Sequence, residues 1–140
     1  MTKACVFCSI VSGAEPASIV AREAGFTAFL DARPVFKGHV LLVPDLHRAD
    51  LAALPRELAG PLLVFAQRLA AAVEAGLAAQ GAFVAVNNKV SQSVPHLHVH
   101  VVPRTKGDGL RGFFWPRTQY ESVAERDGYA RRIADALAPA

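Results

Sequence analysis

Residues 96–102, HLHVHVV, alternate histidines with apolar side chains, and this alternation constrains the fold more than any other stretch of the chain. Successive side chains of a β-strand point to opposite faces of the sheet. In a strand, His96, His98 and His100 would therefore lie on one face, about 6 to 7 Å apart. The opposite face would consist of Leu97, Val99 and Val101. The pattern predicts a strand with an imidazole face and a core face.

The other apolar patterns predict a β-rich first third followed by a long helix. Strand-like runs occupy residues 18–22, 27–31, 39–44 and 82–86, and turn residues separate them. Residues 55–81 carry apolar side chains every three or four positions, which indicates a helix that covers a sheet and ends at Gly81. A short apolar turn is expected near residues 7–13. A second helix is expected over residues 122–137, with a capping box from Ser122 to Glu125.

Composition indicates one compact globular domain spanning the 140 residues, with 52% hydrophobic and 19% charged side chains. The net charge is +3, and the basic residues are scattered, which favours a small anionic ligand over nucleic acid. The longest apolar stretch is interrupted by Gln67, Arg68 and Glu74, so no membrane span of about 20 residues is predicted. No secretory signal pattern opens the chain, and a cytoplasmic protein is expected.

The histidine row admits three interpretations. The side chains could be satisfied structural histidines, ligands of one metal ion, or catalysts, and strict alternation of three favours catalysis. A neutral imidazole can attack phosphorus while its neighbours orient it and stabilise phosphoryl oxygens. His98 is flanked on both sides, which favours it as the nucleophile. Asn87, Gln92 and Ser93, just upstream, would supply neutral hydrogen-bond donors to the phosphate.

At these residues the chain resembles the histidine-triad (HIT) family of nucleotide hydrolases and transferases. The family signature is three histidines that alternate with apolar residues, and HLHVHVV matches it at every position. The resemblance continues, in family order, through CVFCSIVSGAEPASIV and AFLDARPVFKGHVLLVPDLH. It implies an α+β fold with an antiparallel sheet of about five strands, one long helix and a C-terminal helix. The chain would be a single domain, residues 1–140, with a best-matched core over 1–104 and a divergent segment over 105–140. A homodimer is also implied.

The resemblance assigns roles to individual residues. His98 would form a covalent nucleotidyl intermediate that water hydrolyses, and His100 would contact the phosphate and the leaving group. His39 would lie beside the triad, and Asp31 would hold the ribose hydroxyls. The phosphate would also contact Ser93 and Gln92, with Asn87 nearby, and the base would lie among Val6, Phe7, Ile10 and Phe29. Without the resemblance, the apolar set would be ordinary core, Asp31 a turn cap and His39 a structural histidine.

Cys5 and Cys8 form a C-x-x-C pair that is either inert or bound to a metal. Some bacterial relatives, and the galactose-1-phosphate uridylyltransferases, complete such a pair with a histidine downstream of the "VP" strand and the first triad histidine. These positions are His47 and His96 here. The resemblance therefore implies a structural zinc ion held by two cysteines and two histidines.

Two features depart from the family pattern. The connector before the Gln-Ser pair is short and carries Ser91 where a glycine is common. Phe113, Phe114 and Trp115 could cover the partner's active site or pack in a dimer interface. The predicted activity is hydrolysis of a purine nucleoside phosphoramidate or a dinucleoside polyphosphate. There are two alternatives. The chain could be a non-catalytic nucleotide sensor or scaffold, or it could be an enzyme that removes adenylyl groups from nucleic-acid ends.

Overall fold

The structure, a computed structural model, describes residues 4–111, 117–137 and 139, and divides into two compact units, residues 1–108 and 109–140. The first unit contains, in order, α1 (Val6–Ser12), β1 (Ile19–Glu23), β2 (Phe26–Leu30), β3 (Val40–Pro44), a 3-10 turn (Leu51–Ala53), α2 (Arg56–Leu77), β4 (Gly81–Ala85) and β5 (Val99–Arg104). The second unit contains α3 (Val123–Ala136).

The five strands form one sheet in the order β1-β2-β3-β5-β4, and every neighbouring pair is antiparallel. The predicted α+β fold with a five-stranded antiparallel sheet is confirmed. The last strand, β5, lies between β3 and β4, so the histidine segment enters the interior of the sheet. His100 is paired with Leu41 of β3 and Ala85 of β4. Hydrogen bonding on both sides therefore fixes the backbone of His100.

One face of the sheet packs against α2. The helix buries the stripe that the periodicity predicts, and the sheet contributes the apolar residues that alternate with the histidines. The cluster includes Leu62, Phe65, Leu69 and Val73 from the helix and Leu97, Val99 and Val101 from the histidine segment. Leu97 and Val101 are fully buried. The predicted core face of the alternating segment is confirmed.

The opposite face of the sheet packs against α1. Phe7 and Ile10, one helical turn apart, are buried against Phe29, Leu41 and Val43. Only a short apolar turn was expected from the sequence at this point. Seven residues are too few for an isolated helix to be stable, so the packing of these two side chains stabilises α1.

Two predicted boundaries differ from the structure. The long helix ends at Leu77 rather than at Gly81, because Ala78 takes the left-handed conformation usual for glycine, with φ 54°. Gly81 instead begins β4. The histidine strand begins at Val99, so His96, which lies at a bend, and His98 precede β5.

By length and composition, α2 has the properties of a membrane-spanning helix, with 22 residues and a mean hydropathy of 1.3 over its most apolar stretch. The sequence predicted that Gln67, Arg68 and Glu74 would exclude a membrane span. By length and hydropathy these three polar residues are too few to do so. Leu62, Phe65 and Leu69 pack against the sheet. A core helix of a globular domain meets the same criterion.

The second unit contains the predicted C-terminal helix. The Ser122 hydroxyl accepts a hydrogen bond from the Glu125 N–H at 3.0 Å, as the capping box requires. The Glu125 carboxylate accepts from the N–H of Glu121 at 3.2 Å, one residue earlier than in the usual box. The aromatic residues Phe113, Phe114 and Trp115 lie outside the described residues.

Candidate active site

The C-x-x-C segment is part of α1. Cys5 caps the helix, and its sulfur accepts a hydrogen bond from the Cys8 N–H at 3.5 Å. Residues three apart lie on the same side of a helix, so the two sulfurs share one side while Phe7 and Ile10 share another. The same two turns of helix therefore contribute to a cysteine cluster and to an apolar wall.

The sulfurs of Cys5 and Cys8 meet His47 and His96, and the four ligand atoms all lie within 4.8 Å of one another. The His96 Nδ1 atom is 3.5 Å from each sulfur and 3.1 Å from the Nδ1 of His47, and Cys8 Sγ is 3.3 Å from His47 Nδ1. Ligand atoms around a tetrahedral zinc ion are separated by roughly 3.3 to 3.8 Å. The cluster thus has the composition and the spacing of a zinc site.

The tautomer of His96 also suits metal binding. Its Nε2 lies 2.8 Å from the carbonyl oxygen of Pro44, which can only accept, so Nε2 carries the proton. The unprotonated Nδ1 then faces the sulfurs and His47. Burial lowers the pKa of His96, which keeps the ring neutral as a ligand must be. Burial raises the pKa of the Cys8 thiol, so the charge of a bound cation would be needed to favour the thiolate.

His98 is held by a bond of the same kind. Its Nδ1 is 2.7 Å from the backbone carbonyl oxygen of His96, and this carbonyl can only accept. The proton therefore lies on Nδ1, and Nε2 keeps its lone pair. The ring is 4% exposed and packs edge-on against Phe7, with ring centroids 5.1 Å apart. The arrangement holds the ring in place and leaves Nε2 as the nitrogen that can act as a nucleophile.

His100 lies beside His98, with ring centroids 4.9 Å apart. Burial, with smaller effects of the neighbouring His98 and His39 in the same direction, lowers the pKa of His100 to about 4. His100 is therefore neutral near pH 7. Its Nδ1 is 2.9 Å from Nε2 of the buried His39.

A cavity of about 900 Å³ brings most of the predicted nucleotide-site residues together. Such a volume is in the range of small-molecule sites. Its lining includes Val6, Phe7, Ile10, Phe29, Asp31, Ser93, His98 and His100. Apolar walls and a few polar groups suit a ligand with an aromatic part and a polar part.

Gln92 and Asn87 are placed differently from Ser93, since neither is among the residues that line this cavity. The Gln92 amide donates to the Ala49 carbonyl at 2.6 Å and accepts from the Lys89 N–H at 3.1 Å. Both ends of this side chain are therefore engaged with the backbone. The predicted contact of Gln92 with phosphate would require it to exchange one of these bonds.

Sequence reasoning missed several residues of this region, including Leu41, Arg33 and Asn88. Leu41 lines the cavity, and alternation along β3 from His39 could have revealed it. Arg33 also lines it, just beyond Asp31, without a sequence signal that separates it from other exposed arginines. Asn88 accepts a hydrogen bond from the Leu51 N–H at 2.9 Å and, with Gln92, ties the connector to residues 49–51.

Gly38 shapes the entry into β3 immediately before His39. Its φ is 97°, and an added Cβ would lie 2.3 Å from Cδ1 of Leu77. The backbone conformation therefore favours glycine at this position, whereas the exposed Leu77 side chain could rotate to relieve the contact.

The fold and the histidines define a histidine-triad protein, with three alternating histidines of which the second and third line a cavity on an antiparallel sheet. Residues 12–107 match the family model described as HIT domain, and the chain belongs to this family.

Relatives extend the comparison over nearly the whole chain. A HIT family protein of Bacillus subtilis, known from a crystal structure, is 30% identical, with a TM-score of 0.87 over 99% of this chain and 100% of that one. A zinc-bound histidine triad family protein of Mycobacterium smegmatis is 37% identical, with a TM-score of 0.73 over 95% and 97%. The adenosine 5′-monophosphoramidase of Schizosaccharomyces pombe is 32% identical over 114 residues, 80% of this chain and 83% of that protein.

Proposed function

We propose that the chain is a nucleotide-binding hydrolase that attacks the α-phosphate of a purine nucleoside phosphoramidate or of a dinucleoside polyphosphate. The reaction would proceed through a nucleotidyl-His98 intermediate and release a nucleoside monophosphate. The observation that carries the proposal is the 2.7 Å hydrogen bond from His98 Nδ1 to the carbonyl oxygen of His96, because it leaves Nε2 unprotonated at the cavity wall. Similarity to an adenosine 5′-monophosphoramidase supports the substrate class.

The first step joins His98 to the nucleotide. The Nε2 lone pair forms a bond to the α-phosphorus, and the bond from phosphorus to the leaving group breaks with its electron pair. The leaving nitrogen of a phosphoramidate takes up one proton and departs as an amine. His100, neutral and adjacent, would donate a hydrogen bond at the leaving group or at a phosphoryl oxygen, and Ser93 would contact the phosphate.

The second step returns the enzyme to its starting state. Water attacks the phosphorus, the bond to Nε2 breaks and its electrons return to the ring. The water loses one proton, which balances the proton that the amine took up. The backbone carbonyl of His96 would stabilise the positive charge that His98 carries while it is bonded to phosphorus, since it accepts a hydrogen bond from Nδ1–H throughout.

The remaining cavity residues would bind the nucleoside. Asp31 would accept hydrogen bonds from the ribose hydroxyls, as carboxylates do in dinucleotide folds. Its side chain is 25% exposed, so a ligand can reach it. The base would stack among Val6, Phe7, Ile10 and Phe29, of which Phe7 and Phe29 already form an edge-to-face pair with centroids 5.4 Å apart. Gln92 and Asn87 would support the phosphate side from the connector.

We propose that Cys5, Cys8, His47 and His96 hold a structural zinc ion. The cluster geometry and the zinc-bound relative both support this assignment. The ion would stabilise the fold by joining α1 to the histidine segment, and it has no part in the reaction steps. His96 is thus assigned to the metal, whereas His98 and His100 are assigned to catalysis.

The proposed oligomeric state and location follow from the resemblance to the family. The chain is proposed to act as a cytoplasmic homodimer, for which β4 offers an outer strand of the sheet with Val84 43% exposed. Sedimentation measurements test the dimer, and a monomer at micromolar concentration would contradict it.

A substrate panel tests the proposed activity. Adenosine phosphoramidates, diadenosine tri- and tetraphosphates and an adenylylated DNA end are compared, and protein quenched with denaturant at alkaline pH, where a phosphorus–imidazole bond is stable, is analysed by mass spectrometry for a nucleotidyl adduct. Turnover with an adduct on His98 supports the proposal and identifies the leaving group. Tight binding without an adduct would instead identify the nucleotide sensor or scaffold, and turnover of the DNA end alone would identify the nucleic-acid activity.

A further inference from the structure

His39 lies between a backbone amide and His100. The Val35 N–H donates to Nδ1 of His39 at 3.1 Å, and Nε2 of His39 is 2.9 Å from Nδ1 of His100. His39 is 3% exposed, so water cannot replace these partners easily. Val35, His39 and His100 thus form a hydrogen-bonded chain that runs from the loop after β2 to the cavity.

A backbone N–H can only donate, and this sets which nitrogens of His39 and His100 donate and which accept. Because Nδ1 of His39 accepts from Val35, the proton of a neutral His39 lies on Nε2. This Nε2–H can only be satisfied if Nδ1 of His100 accepts. Neutral His100 must then carry its own proton on Nε2, the nitrogen that remains for a ligand in the cavity.

We propose that His39 is a positioning residue that holds neutral His100 as the tautomer protonated at Nε2, the form that donates a hydrogen bond to the substrate. The inference rests on the proposed function and assigns His39 a role in it. His39 itself need not touch the substrate, since it acts through His100. Without this partner, neutral His100 could carry its proton on Nδ1 and present a lone pair to a negatively charged phosphate.

Asp31 is the group that competes with this arrangement. Its Oδ2 is 3.7 Å from Nδ1 of His39, beyond hydrogen-bond distance, and its Oδ1 already accepts the Arg33 N–H at 2.9 Å. A proton on Nδ1 of His39 would point at the Val35 N–H as well as at the carboxylate. The shorter contact with the amide therefore decides the tautomer.

Heteronuclear NMR of the imidazole nitrogens tests the assignment directly in the wild-type protein. A protonated Nε2 on both His39 and His100 is expected, because each Nδ1 is an acceptor. A proton on Nδ1 of His100 would overturn the proposal. The measurement needs no turnover, so it remains decisive even if no substrate of the panel is cleaved.

A matched pair of variants tests the consequence for the reaction. His39→Gln places an amide N–H near the position of Nε2 and retains the donor, whereas His39→Leu removes it. His39→Leu should slow nucleotidyl-His98 formation by about tenfold to a hundredfold, less than the roughly hundredfold to thousandfold that removal of a direct donor costs, because His100 itself remains. Adenosine monophosphate affinity should change little. His39→Gln should recover most of the rate.

The outcomes separate a positioning role from a structural one. Equal losses in the two variants, or an unchanged His100 tautomer in His39→Leu, would overturn the proposal. If His39→Leu alters the tautomer of His100 but the wild-type protein forms no nucleotidyl-His98 adduct, the positioning role would stand and the proposed function would be contradicted.

Discussion

The backbone carbonyl of His96 accepts a hydrogen bond from the side chain of His98 at 2.7 Å. The His96 ring is oriented by a separate bond from its Nε2 to Pro44, and its Nδ1 faces Cys5 and Cys8. A single residue therefore belongs to the cysteine cluster through its side chain and orients the proposed nucleophile through its backbone. Loss of the cluster should disturb the nucleophile, although no ligand of the cluster contacts the reacting phosphorus in the proposed reaction.

Replacement of both cysteines by serine should remove bound zinc and destabilise the fold. Loss of a structural ion that joins α1 to the histidine segment should cost about 2 kcal/mol or more, a decrease in Tm of about 6 °C for a chain of this size. Elemental analysis and thermal unfolding measure the two effects. Ser12→Ala, at the exposed end of α1, is the matched control. Wild-type protein that contains no zinc after expression in zinc-supplemented medium would contradict the assignment.

His98→Ala should abolish turnover and retain nucleotide binding. The loss of the nucleophile should reduce kcat by about a thousandfold or more, whereas the cavity walls from α1 and β2 remain. Isothermal titration with adenosine monophosphate and a steady-state assay measure binding and turnover separately. Comparable turnover in wild type and variant would exclude His98 as the nucleophile.

Asp31→Asn should weaken binding of ribonucleotides. The Asn oxygen can still accept the Arg33 N–H that Oδ1 accepts in the wild type, so the turn is retained while the charge is lost. Loss of hydrogen bonds between a charged group and the ribose hydroxyls should reduce affinity for adenosine monophosphate by about tenfold. The 2′,3′-dideoxy nucleotide is the internal control, because its affinity should not change. Equal losses for both nucleotides would contradict the ribose contact.

Ser91→Gly should stabilise the protein. Ser91 has φ 59° in the connector, a conformation that costs a residue with a Cβ about 1 kcal/mol relative to glycine. Chemical denaturation should show a gain of this order. The adjacent Val90 is 80% exposed and is not among the residues with positive φ, so Val90→Gly is the control and should destabilise through backbone entropy. A loss of stability in Ser91→Gly would indicate that the serine makes a compensating contact.

Stability should decrease as the solution is acidified below neutral pH. The pKa of His100 is lowered to about 4 in the folded protein, and the pKa of His39 is lowered as well, chiefly by burial. The unfolded chain, in which histidine has a pKa of about 6.5, therefore binds more protons between these limits. The stability that comes from keeping these two histidines neutral is fully present above about pH 6.5 and is lost as the pH falls toward 4. Denaturation at several pH values measures the slope, which should be smaller in His100→Asn.

Much of the fold was predictable because the periodicity of the sequence is clear. Alternation identified Leu97, Val99 and Val101 as core, and a spacing of three and four identified the buried face of α2. The boundaries were less accessible. A left-handed Ala78 ends α2 three residues before Gly81, and nothing in the local sequence distinguishes this alanine from its neighbours.

The site was predictable to a similar degree. Sequence resemblance indicated which side chains would meet, including two cysteines and two histidines that are far apart in the chain. It could not indicate tautomers, since these depend on the carbonyl oxygens of Pro44 and His96 and on the amide of Val35. It also could not show that Gln92 is engaged with the backbone of Ala49 and Lys89, because such contacts depend on the path of the connector.

The strict alternation of residues 97–101 has a consequence for protein engineering. Val99 packs against α2 on one side of the backbone, and the imidazoles of His98 and His100 project from the same few peptide units. A larger or smaller side chain at Val99 must be accommodated partly by backbone movement in a close-packed core. Stabilising substitutions in this core should therefore be screened for activity as well as for melting temperature, since no position between the histidines is remote from the chemistry.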